Sequence, residues 1–79
     1  MPTSQNREAV AAKVRSAAAE KRISIRALAD KTGIGYSALV RRMRGEVDFA
    51  APELMVIADA LGVSAGALLP EPVIERVAA

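Results

Sequence analysis

Seventy-nine residues with a net charge of +2, no cysteine and no histidine describe one domain with few chemical options. Disulfides and thiolate metal sites are excluded, and metal binding or acid–base catalysis would have to rely on scattered carboxylates. So small a core calls for closely packed short helices, and an alanine-rich chain whose only aromatics are Tyr36 and Phe49 leans the same way.

The charge is unevenly divided. Residues 1–45 carry ten basic against three acidic residues, a net +7, whereas residues 46–79 carry one against six, a net −5. Such asymmetry hints at a polyanion-binding half, although solvated helix faces alone could produce it.

Residues 1–5 are polar and expected to be flexible. From Asn6 to Lys21 there is neither glycine nor proline, and Val10, Val14, Ala17 and Ala18 repeat at helical spacing, which predicts a first helix. Ser24 is a good N-cap for a second helix over Ile25–Thr32, with Ile25, Leu28 and Ala29 as its inward stripe and Gly33 as its stop. Gly35 opens a third helix, Tyr36–Arg44, with Leu39 and Met43 inward and Gly45 closing it.

A fourth helix is expected after Ala50. Phe49 and Leu54 stand at the spacing of a hydrophobic staple, Glu53 is at N3, and Pro52 lies in the first turn. Leu54, Ile57, Ala58 and Leu61 form its buried face and Gly62 its end; Ser64 then caps a brief fifth helix through Leu69, halted by Pro70. The longest uncharged stretch, residues 60–70, is too short to span a bilayer. No apolar run follows a basic start, so no secretory signal is expected and a cytoplasmic protein, in a bacterial host or nucleoid-associated, is.

Helix, glycine turn, helix over Ser24–Gly45 is the informative unit. The segments LADKTGIGYSALVRRMRG (Leu28–Gly45) and ELMVIADALGVSAGALL (Glu53–Leu69) resemble the Cro/C1-type (XRE-like) helix-turn-helix regulators of phages and bacteria. The resemblance implies an all-α, compact five-helix, lambda-repressor-like domain over residues 6–69, with a short C-terminal tail at residues 70–79. It also implies a sequence-specific transcriptional regulator, most simply a repressor, that reads duplex DNA through the major groove with the third helix.

The positions that would face bases are Gly35, Tyr36, Ser37 and Arg41. Arg41 can donate a bidentate pair to guanine O6 and N7, and Tyr36 offers a hydroxyl and a ring face for a thymine methyl. Arg42 and Arg44, toward the helix end, would reach phosphates, which position without specifying. Three departures from the family pattern stand out. Ile25 replaces a glutamine that often holds a phosphate, so Ser24 or Arg26 would have to substitute. Ala18 and Met43 occupy the places of a buried Arg–Glu pair, and Arg42 stands where an inward apolar residue is common.

The expected partners are double-stranded DNA with a palindromic operator and a second copy of the chain, without cofactor, metal, membrane or small-molecule ligand. Leu68, Val73, Ile74 and Val77 supply apolar area for a dimer contact. The main rival is an antitoxin-type module that grips a toxin with its acidic half; an architectural or excision-type DNA binder is a third option. An enzyme is not expected, because no nucleophile–base pair or glycine-rich phosphate loop is present.

Overall fold

The computed structural model describes the backbone of residues 2–69 and the side chains of residues 7–69. The first helix, α1, spans Pro2–Glu20 and so starts ahead of Asn6. Pro2 sits in its first turn, where a missing N–H costs little. Val14 and Ala18 are buried together with Ala11, and Val10 and Ala17 pack beside them.

α1 stops without a glycine. The Ile23 N–H donates to the Ala18 carbonyl at 2.9 Å and the Arg22 N–H to the Ala19 carbonyl at 3.1 Å, the paired bonds that turn a chain back at a helix end. They need a left-handed residue at the reversal, and Arg22 fills that place with φ 57°.

α2 spans Ile25–Thr32 and α3 spans Tyr36–Met43. Ser24 Oγ accepts the Ala27 N–H at 3.1 Å, satisfying one of the four free N–H groups at the start of α2. Gly33, at φ 80°, ends α2, and Gly45, also at φ 80°, turns the chain after α3. The inward residues Leu28, Ala29, Leu39 and Met43 are all buried, so shortening any of the three larger ones would open a cavity behind the helix pair.

α4 spans Ala51–Leu61. Glu53 Oε1 accepts the Ala50 N–H at 2.8 Å, but alanine carries no acceptor, so only this half of a capping box forms. Phe49 packs against the core that encloses Leu54, Ile57, Ala58 and Leu61. The expected fifth helix is a single 3-10 turn, Ala65–Leu68, for which Ser64 makes no side-chain cap. Gly66 within the turn and Pro70 just beyond Leu69 oppose a longer helix.

α2 packs on α3 and α4, α1 lies against α3, and the 3-10 turn lodges against both α1 and α4. Val14, Leu28, Leu39, Ile57 and Leu68 are fully enclosed, and no polar or charged residue is buried among the described residues. One dimer expectation therefore changes. Leu68 is 1% exposed and packs inside its own chain, so it offers no surface to a second copy. Val73, Ile74 and Val77 lie outside the described residues, as does the tail 70–79. Among the described residues no helix is long and apolar enough to cross a membrane.

Candidate nucleic-acid interface

With Leu39 and Met43 facing the core, helical geometry turns Ser37, Arg41 and Arg44 outward, each one turn from the next. These three, with Gly35 and Tyr36, are exposed. The surface offers two guanidinium groups and a hydroxyl along one side of an eight-residue helix and its C-cap, Arg44, with no bulky apolar group among them.

Tyr36, at the start of α3, is joined to α2. The Arg26 guanidinium lies 4.3 Å from the centroid of its ring, a cation–π contact that ties together the N-terminal ends of the two helices. A residue expected at phosphate and a residue expected at bases thus form one unit. Ser24 is exposed at the same end of α2. Its oxygen caps Ala27, which leaves its O–H able to donate to an anion.

Arg42 departs from expectation. Its Nε donates to Glu53 Oε1 at 3.0 Å and its Nη1 to the Ala38 carbonyl at 3.1 Å, with only 22% of the side chain exposed. One step round the helix from Arg41, it turns toward α4 rather than outward, and it braces α3 against the first turn of that helix. In this structure it acts as a brace, bound to Glu53 and the Ala38 carbonyl rather than turned to solvent. The signal was present in the sequence: Glu53 had a role at N3, and an inward position normally filled by an apolar side chain needs an acid when it holds arginine.

Ala18 and Met43 are both 4% exposed and form an apolar contact in place of an ion pair. The polar link between α1 and α3 is made instead by Arg15, a residue that sequence reasoning counted only as one of several cations. Its Nη1 donates to the Met43 carbonyl at 2.6 Å and its Nη2 to Glu8 Oε2 at 3.2 Å. A cation at the C-terminal carbonyls of α3 also opposes the negative end of the helix dipole. Arg7 Nε donates to Asp48 Oδ1 at 3.1 Å and fastens α1 to the loop before α4. Arg7, Arg15 and Arg42 are therefore engaged in holding the helices, and the +7 of the first half overstates the charge available to an outside anion.

A short helix turned outward between two glycine turns, held from behind and carrying cations on its free side, defines a helix-turn-helix DNA-binding module. The sequence matches the Cro/C1-type HTH DNA-binding domain over residues 13–70, and the chain belongs to that family. No curated protein matches it. Among solved structures it is similar to the hypothetical transcription factor NHTF from Neisseria, with 29% identity and a TM-score of 0.78 over 95% of this chain and 86% of that one. The clp gene regulator ClgR from Corynebacterium glutamicum is 29% identical, with a TM-score of 0.76 over 91% of this chain and 72% of its own. An HTH_3 family transcriptional regulator from Vibrio cholerae shares the fold at 24% identity and a TM-score of 0.78. That match covers 84% of this chain, which spans 37% of the Vibrio regulator's length.

Proposed function

We propose that this chain is a sequence-specific transcriptional repressor, of phage or bacterial type, that occupies a palindromic operator as a homodimer. The observation that carries this reading is the outer face of α3, where Ser37, Arg41 and Arg44 are exposed in one row and Tyr36 is held by Arg26. In the major groove, Arg41 would pair with guanine, Ser37 and Tyr36 would touch neighbouring base edges, and Gly35 would let the backbone approach closely. Ser24, Arg26 and Arg44 would take phosphates on either side. A domain seated on the duplex excludes polymerase from the same stretch, the simplest way for a module of this size to act.

Selection of bound sequences from a random duplex pool tests the proposal. A two-fold symmetric motif with half-sites about one helical turn apart is the expected result. Enrichment of flexible steps with no fixed bases would replace it with an architectural role.

A further inference from the structure

We propose that Glu46 is a positioning residue for base reading. Its carboxylate holds the Nε side of Arg41, leaves the terminal edge of the guanidinium free for a guanine, and opposes capture of that arginine by phosphates. The inference rests on α3 being the DNA-reading helix.

Glu46 stands between the two outward arginines. Its Oε1 is 3.6 Å from Arg41 Nε and its Oε2 is 3.7 Å from Arg44 Nη1, so one carboxylate spans both. The backbone sets this placement. The Glu46 N–H donates to the Arg41 carbonyl at 3.0 Å and the Gly45 N–H to the Arg42 carbonyl at 3.1 Å, a reversal that returns residue 46 to the level of Arg41. Gly45 makes the turn at φ 80°, and a Cβ there would run into the Glu8 carboxylate. The side chain that follows α3 is thus directed back at Arg41 by the turn itself.

Arginine has five N–H donors, and an end-on bidentate pair with guanine needs only those on Nη1 and Nη2. An anion at Nε leaves both free. It also narrows the conformations of a long side chain that is 63% exposed, so less freedom is lost when the base is met. The two consequences differ with sequence. Repulsion between Glu46 and phosphates lowers affinity for every duplex, whereas ordering of Arg41 helps only where a guanine lies opposite. Glu46 therefore widens the gap between the right site and all others.

The test uses the full chain as wild type, Glu46→Gln, Arg41→Ala and the double variant. Each is titrated by fluorescence anisotropy, at one salt concentration, against the duplex the wild type selects and against a random-sequence duplex of equal length. Glu46→Gln is expected to raise affinity for the random duplex and not for the selected one, narrowing their ratio about two- to fivefold, the size of one exposed ion pair. In the Arg41→Ala background the same change should raise both affinities equally and leave the ratio still. Equal gains in the wild-type background would reduce Glu46 to plain charge screening and overturn the proposal. A narrowing that persists without Arg41 would overturn it too, since the effect would not pass through that residue. A wild type that selects no sequence removes the DNA-reading assignment and the proposal with it. A wild type that selects a motif with a ratio insensitive to Glu46 removes the proposal alone.

Discussion

Arg42 and Glu53 meet at 3.0 Å with 22% and 25% of their side chains exposed, and Glu53 also accepts the Ala50 N–H. Removing the arginine leaves a half-buried carboxylate with one partner fewer. Arg42→Ala should lower folding stability by about 1–2 kcal/mol, a charged hydrogen bond discounted for its partial exposure, as read by urea denaturation. Because Arg42 points at α4, the same change should leave the salt dependence of DNA binding as it was. A shallower dependence would return Arg42 to the phosphate-binding set. Arg22 offers the opposite case. It holds φ 57° at the end of α1, a conformation that costs a side chain about 1 kcal/mol and glycine almost nothing. Arg22→Gly should raise the denaturation midpoint, and a fall would show that the side chain contributes more than the turn strains.

At the scale of elements, α3 combines two kinds of arginine on one face. Arg41→Ala should cost about 1–3 kcal/mol at the selected site and relax base preference at one position of each half-site. Arg44→Ala should weaken good and poor sites about equally and reduce the salt slope by about one phosphate contact. Selection repeated with each variant separates the two, and the same altered motif from both would refute the division. The boundaries of these elements were readable in the sequence wherever the chain stops a helix with glycine: Gly33, Gly45 and Gly62 all stand at positive φ. The inward stripes of α2, α3 and α4 were readable as well, because apolar spacing reports burial directly. What was less readable was the partner each charge would meet. Arg7, Arg15, Arg41, Arg42 and Arg44 are alike in type, and the folded positions of Asp48, the Met43 carbonyl, Glu53 and Glu46 decide which partner each one meets. The end of α1 was indistinct for a related reason, since a left-handed arginine carries no mark that distinguishes it from a helical one.

For the molecule as a whole, binding should be strongly salt-dependent but less so than a charge of +7 suggests, because Arg7 and Arg15 are held in contacts within the chain. Each phosphate neutralised contributes a slope of about −0.9 to log K against log salt. Affinity that hardly changes with salt would count against DNA binding altogether. A single eight-residue helix also reaches too few base pairs to identify one site in a genome, which is the physical case for two copies on one operator. The chain has apolar surface to offer for pairing away from α3. Met55 and Val56 on α4 are 65% and 43% exposed, and Leu69 is 46% exposed just beyond the 3-10 turn. With Leu68 enclosed in the core, the remaining apolar residues at that end are Leu69 and, in the tail, Val73, Ile74 and Val77. Glu71 and Glu75 among them would keep a tail-to-tail contact away from phosphates and leave the α3 side free. A contact built from so few residues is small, so pairing should be weak in free solution and completed on the operator. Deleting residues 71–79 removes none of the core residues and should leave the circular dichroism spectrum and the affinity for a single half-site nearly unchanged. The same deletion should abolish cooperative filling of paired half-sites in a titration. Cooperativity that survives it would move the dimer contact from the tail to the exposed face of α4.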